Sequence, residues 1–284
     1  MEELVRYANS RNVGIILWVI WKTLDDQLVE ALDQFEEWGI KGIKVDFMQR
    51  DDQPMVEYYW RIAEAAARRH LLVDFHGAYK PAGLRRAYPN VVTREGVRGL
   101  EHVKWSPYPT PEHDVTLPFI RMLAGPMDYT PGIFDLQHQG PDSNRRVTST
   151  LAHQLALYVV FYSPAQMAAD LPRNYLARPD AFQFIKDVPA DWEASIALAG
   201  EVGDFVVFAR QDRSSDDWYV GAITDERARD VRVPLAFLDA GRRYTAAIYR
   251  DGDDADRGGL QEKGNGITYI HAWIIHGGHV RNSQ

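Results

Sequence analysis

The chain has 284 residues, 45% of them hydrophobic and 25% charged, with a formal net charge of −8. That balance is globular, and its sign argues against a nucleic-acid partner and favours a neutral substrate over an anionic one. The absence of cysteine excludes disulfides, thiolate nucleophiles and cysteine–zinc sites, and no apolar run is long enough to span a membrane as a helix.

The opening MEELVRYA lacks the basic and apolar regions of a signal peptide and reads as part of a helix. Residues 13–21 (VGIILWVIW) form a continuous apolar run, the pattern of a strand buried on both faces. Leu28, Leu32, Phe35 and Trp38 recur at helical spacing, and Gly39 stops that helix. Residues 42–47 form a second strand. Asp51 and Asp52 suit the N-cap of the helix that follows, and residues 55–69 are helical, strengthened by Ala63, Ala65, Ala66 and Ala67. Residues 71–75 and 91–94 give the third and fourth strands. Residues 127–129 and 162–167 are weaker candidates, with an amphipathic helix at 147–160 between them.

Parallel strands joined by helices define an α/β class. Six candidate strands fall short of the eight of a (β/α)8 TIM barrel, and the chain opens inside a helix that should follow a strand. After Trp192 the pattern changes to short strands at 204–210, 218–224, 231–235 and 244–249, separated by turn clusters such as DRSSDD and DGDD. The expectation is therefore an incomplete barrel over residues 1–190, lacking its first two βα units. A small antiparallel β-sandwich follows over residues 191–284.

Barrel chemistry sits at the carboxyl ends of the strands. Asp46 ends the second strand, with Lys44 two residues earlier on the same face. Glu101 closes TREGVRGLE, a loop that crowds Arg94, Glu95 and Arg98 with two glycines. Two acids at one barrel mouth suggest glycoside hydrolysis. The competing reading makes Asp46 a helix cap or a partner of Lys44, and Glu101 a surface acid. His76, after the third strand, fits either a sugar contact or a structural histidine bonded to backbone. Gly77 leaves room beside it. Glu95 and Glu101 could share a hard cation, although calcium takes about six to eight oxygens. Trp18, Trp21, Trp105, Tyr108 and Tyr129 lie near strand ends or loops, where sugars stack, but such residues are as often core.

The segments GIKVDFMQRDDQ, LLVDFHGAYKPAGLRRAYPN, VVTREGVRGLEH, TPEHDVTLPFIRMLAGPMDYTPG and LALYVVFYSPAQMAADLP resemble glycoside hydrolase family 97, whose members are exo-acting α-glucosidases and α-galactosidases. The resemblance runs from about residue 7 to about residue 251. It implies an N-terminal β-supersandwich, a (β/α)8 barrel and a C-terminal β-sandwich, the first of which this chain lacks. It also implies retention. Inverting members carry a glutamate base at the position of Gly77, whereas retaining members use the aspartate matching Asp46 as nucleophile. Glu101 matches the acid/base, and Glu95 and Glu101 match two calcium ligands; Lys44 and His76, beside Asp46 in this reading, are the expected substrate contacts. The implied partner is an oligosaccharide or α-glycoside, with no nucleic acid and no membrane, in a periplasmic or secreted setting. Two readings compete with this one. The first is a truncated inactive fragment with weak sugar binding. The second is another α-galactosidase family with a Lys-x-Asp nucleophile strand, against which the REGVRGLE segment argues. Residues 264–284 do not follow the family's closing strand.

Overall fold

The computed structural model describes residues 1–137, 146–252, 255, 260–261 and 270–277. It divides into two compact units. One comprises Met1–Arg98, Ala124–Asp128 and Ser163–Ala165, and the other Gly99–Leu123, Tyr129–Tyr162 and Gln166–Gln284.

The first unit runs α1 (Glu2–Asn9), β1 (Ile16–Ile20), α2 (Trp21–Asp26), α3 (Leu28–Glu37), β2 (Gly42–Asp46), α4 (Gln53–Ala67), β3 (Leu72–Phe75), α5 (Leu84–Ala87) and β4 (Val91–Arg94). The four strands are parallel, in the order β1-β2-β3-β4. Their register aligns Trp18, Lys44, Asp74 and Thr93 in one row. Side chains alternate along a strand, so the two faces differ in chemistry. Leu17, Val19, Ile43, Val45, Val73 and Phe75 turn to one face and pack with Leu32, Met55, Tyr59 and Ile62 of the helices. The opposite face carries Lys44, Asp46 and Asp74.

Two expectations for this unit need correction. β1 is not buried on both faces: Ile16, Trp18 and Ile20 are 42%, 50% and 37% exposed, while Leu17 and Val19 pack on the core. The apolar run suits a strand covered on both sides, but β1 is an edge strand whose covered side is the helix side. The segments 127–129 and 162–167 are not strands. The Asp128 N–H reaches β4 for one bond to the Arg94 carbonyl at 3.0 Å. Thr130 then takes a left-handed φ of 58°, and Pro164 has no N–H to give to a ladder.

The second unit holds α6 (Pro111–Thr116), α7 (Leu151–Val160), α8 (Pro172–Leu176) and α9 (Pro179–Asp187), followed by β5 (Trp192–Glu201), β6 (Phe205–Asp212), β7 (Trp218–Thr224), β8 (Tyr244–Asp251), β9 (Leu260–Gln261) and β10 (Ile270–Gly277). Proline opens α6, α8 and α9, where its missing N–H costs nothing and its fixed φ is already helical. The strands form one antiparallel sheet in the order β5-β6-β7-β10-β8-β9.

The antiparallel sheet begins with β5 at Trp192, while the compact unit that contains it also takes in α6 to α9. Residues 231–235 are loop rather than strand, since Pro234 interrupts them. β10 falls inside the divergent segment 264–284 and runs centrally between β7 and β8. The rest of that segment, together with Asp253 and Asp254 of the DGDD turn, lies outside the described residues. The helix expected at 147–160 is α7, and every residue of it is buried, so it is not amphipathic. Its polar pair is satisfied: His153 Nε2 lies 3.0 Å from Asp114 Oδ2, and Gln154 bonds Ser149 Oγ and the Gly132 N–H, each at 2.9 Å.

Candidate active site

The polar groups of the first unit collect at the carboxyl ends of β2, β3 and β4. Asp46 is the last residue of β2 and is largely buried. Its Oδ2 accepts from Trp18 Nε1 at 2.9 Å, and its Oδ1 accepts from the Phe47 N–H. The chain turns sharply there, with φ of 64° at Phe47 and 38° at Gln49. Strained backbone of this kind persists where surrounding structure holds it, commonly at functional sites. Trp18 and Phe47 meet edge to face at 5.6 Å, and both are about half exposed.

Lys44 does not pair with Asp46. Its Nζ lies 2.6 Å from Asp128 Oδ2 and 3.4 Å from Asp74 Oδ2. Burial alone would lower the Lys44 pKa, but the charges of Asp128 and Asp74 outweigh burial and raise it. His76 follows β3 and is buried. Its Nε2 is 3.3 Å from Asp128 Oδ2, its Nδ1 3.6 Å from Glu95 Oε1 and 3.8 Å from Asp46 Oδ2. Burial opposes the charged imidazole, yet the Asp128 oxygen and the Glu95 charge prevail and raise its pKa.

Burial, then the Asp128 charge, pushes the Asp74 carboxyl well above the carboxylate range. Burial acts the same way on Asp128, but hydrogen bonds from His76 and Asp74 and the Lys44 charge hold it well below that range. The two buried acids are thus pushed in opposite directions, Asp74 up and Asp128 down, with the Lys44 ammonium nearer to Asp128.

Glu95 is buried, and its Oε2 accepts from the Gly77 N–H at 2.7 Å. Gly77 has a φ of 55°, and a Cβ there would lie 3.3 Å from Asp46 Oδ1. Glycine thus serves both a left-handed backbone and the close approach to the Asp46 carboxylate. Arg94, crowded with the acids in sequence, is spatially elsewhere. It lies over the rings of Tyr59, Tyr79 and Phe75 at 4.7, 5.1 and 5.3 Å. Trp21 packs against Tyr58, and Tyr129 is buried and bonded to Asp114; both are core.

Lys44, Asp46, His76 and Glu95 are therefore brought together. Glu101 belongs to the second unit, half-buried in the 3-10 turn Leu100–Lys104, whose Leu100 N–H bonds the Tyr129 carbonyl at 3.0 Å. His76 and Glu95 are buried ligand-type side chains close enough to serve one ion. Asp74 and Asp128 are site residues to which the sequence attached no role, and Trp18, a candidate for sugar stacking, bonds Asp46 through its indole N–H. A signal existed for the acids: Lys44 sits in a row with Asp74, and a buried lysine requires a counterion.

This is a barrel-type parallel sheet with its acids at the strand ends, the arrangement of an α/β-barrel enzyme site. Residues 1–97 match glycoside hydrolase 97, and residues 191–270 match the glycosyl-hydrolase 97 C-terminal, oligomerisation domain. The chain is 45% identical over 269 residues to a retaining α-galactosidase of Bacteroides thetaiotaomicron, which covers 93% of this chain and 40% of that protein. It is 39% identical over 254 residues to a probable retaining α-galactosidase of Streptomyces bingchenggensis, covering 89% and 38%. A solved family 97 enzyme of a Pseudoalteromonas species, in complex with panose, superposes with a TM-score of 0.88 at 41% identity, covering 96% of this chain and 48% of that one. The chain belongs to glycoside hydrolase family 97. It spans about 40% of the length of the curated relatives it matches.

Proposed function

We propose that this chain carries the catalytic centre of an exo-acting, retaining α-glycoside hydrolase, an α-galactosidase or α-glucosidase. Residues 1–190 supply the catalytic barrel portion and residues 191–284 the C-terminal domain. The observation that carries the reading is Asp46: a strand-end carboxylate steered by Trp18 and the Phe47 N–H, with glycine at position 77 beside it. A glutamate base at 77 would crowd this carboxylate, whereas glycine leaves its approach to a sugar open. The α-galactosidase relatives support galactose, and the panose-bound relative supports α-linked oligosaccharides as a class.

In this mechanism the Asp46 carboxylate attacks the anomeric carbon while Glu101 gives its proton to the departing glycosidic oxygen. A glycosyl ester on Asp46 results. Glu101, now a base, takes a proton from water, whose oxygen attacks the same carbon and frees Asp46. Lys44 and His76 contact the sugar. Glu95 and Glu101 are assigned to a calcium ion. Glu95 would offer one carboxylate to such a site, and the remaining oxygens, about six to eight in all, would come from elsewhere, since the neighbouring His76 nitrogen is not a donor that calcium favours. When bound, the ion polarises sugar oxygens.

Asp46→Ala should abolish turnover of an activated aryl α-galactoside, and added azide should restore it with formation of the β-glycosyl azide. An α-azide product, or full activity without Asp46, would refute the assignment. Glu101→Gln should slow substrates with poor leaving groups far more than activated aryl glycosides, since only the former need the proton. An equal loss on both would place Glu101 outside acid/base work. A second reading, weak sugar binding without turnover, draws on the uncovered apolar row Ile16, Trp18 and Ile20, and absence of activity in every arm above would favour it.

A further inference from the structure

We propose that Asp128 is the positioning residue of this site, a buried carboxylate that holds Lys44 and His76 in place beside Asp46. The inference rests on the reading of Asp46 as nucleophile and of Lys44 and His76 as sugar contacts. A single oxygen, Asp128 Oδ2, takes Lys44 Nζ at 2.6 Å and lies 3.3 Å from His76 Nε2. The Lys44 ammonium and the His76 ring nitrogen thus converge on one atom. His76 in turn faces both Asp46, at 3.8 Å, and Glu95, at 3.6 Å, through its other nitrogen, so the imidazole stands between Asp128 and Asp46.

Asp128 itself is fixed. It comes from outside the strands, but its N–H bonds the Arg94 carbonyl at 3.0 Å, which ties it to the end of β4. Its side chain is 1% exposed, so it lies beneath the site and does not meet the sugar. That burial separates a positioning role from a catalytic one. Asp74 Oδ2 stands 3.4 Å from Lys44 Nζ, farther than Asp128 Oδ2 at 2.6 Å. Lys44 is therefore anchored chiefly by Asp128, with Asp74 as the weaker second contact. Misplacing a sugar-contacting group by about 1 Å can slow an enzyme about 100-fold, so a fixed anchor for two such groups matters to rate.

The test uses the whole chain and an α-galactose-configured cyclophellitol aziridine. A nucleophilic carboxylate opens this ring: a carbon–oxygen bond forms, the carbon–nitrogen bond breaks, and the nitrogen takes a proton, so the protein gains the intact probe. Peptide mass spectrometry should place the label on Asp46. Asp128→Asn should label about 100-fold more slowly with an unchanged melting temperature. Lys44→Met should also be slow, and the double variant should be no slower than Lys44→Met alone, because coupled residues do not add. A merely structural Asp128 would give multiplying effects. Should Asp128→Asn not fold, Asp128→Glu keeps the charge and displaces it by one methylene, and should label about 10-fold more slowly by the same positional argument. A second readout needs no turnover: the 15N signal of the Lys44 ammonium should be sharpened by its ion pair in the parent chain and lost in Asp128→Asn. Labelling of Asp46 at the parent rate in the Asp128 variants, or a Lys44 signal indifferent to them, overturns the positioning role while the nucleophile assignment stands. Failure of the parent chain to label Asp46 overturns the nucleophile assignment, and the positioning role with it.

Discussion

Trp18 Nε1 and the Phe47 N–H each occupy one oxygen of Asp46. With a donor on each oxygen, the direction in which the carboxylate points is fixed, and the proposed attack on a sugar relies on that steering. Lys44, placed two residues earlier on the same face, was the obvious cation from the sequence. The alternation argument located its face correctly, but not its partner, because side-chain length and the neighbouring strands decide where an ammonium goes. Trp18→Phe tests the difference. It removes the indole N–H and keeps most of the ring, on a half-exposed position. A single charge-assisted hydrogen bond contributes about 1.5–3 kcal/mol, so kcat/KM on an aryl α-galactoside should fall about 10- to 100-fold. The melting temperature should hardly move. A parent-like kcat/KM would show that Trp18 does not steer the carboxylate.

Strands and the helices between them were legible as elements: β2, β3, β4, α3 and α4 fall where periodicity puts them. What sequence could not give was context. The apolar run around β1 records a strand made for covering on both faces, and periodicity is silent on whether that cover is present. The reverse holds for α7, whose LAHQLALYVV looks one-sided only if His153 and Gln154 are taken as solvent-facing; both are buried and bonded. At its contact with β7 the packing depends on one glycine. A Cβ on Gly221 would fall 2.7 Å from Val159 Cβ and 3.0 Å from the Ala156 carbonyl, distances that force helix and strand apart. Gly221→Ala should therefore destabilise the chain by about 1–3 kcal/mol, measured by urea or thermal denaturation. An unchanged midpoint would mean that α7 can shift on the sheet at no cost.

Across the whole molecule, an excess of acids makes acid stability a question of which carboxylates the fold holds ionised. Asp170 is the clearest case away from the candidate site. Its carboxylate accepts from the backbone N–H groups of Phe134, Asp135 and Leu171 at 2.7, 2.8 and 2.6 Å, and from Asn174 Nδ2 at 2.6 Å. It thereby ties the segment at 134–135 to the turn that opens α8. Burial works to raise its pKa, but the hydrogen bonds from Asp135, Asn174, Leu171 and Phe134 outweigh burial and lower it. The sign follows from linkage. A folded pKa below the unfolded one means that the unfolded chain binds the extra proton. The stabilisation is therefore complete above the ordinary aspartate value, near about 3.9, and is lost as pH falls from there through the lower folded value. Asp170→Asn keeps the shape, but its amide nitrogen cannot accept where a carboxylate oxygen did. The variant should be less stable than the parent at pH 7 by about 1–3 kcal/mol. The gap should close as pH drops below about 4, where the parent loses its ionised carboxylate too. Denaturant midpoints measured from pH 7 to pH 3 decide the matter. A gap that stays constant across that range would show that the Asp170 carboxylate stabilises the fold by shape alone and not by its charge.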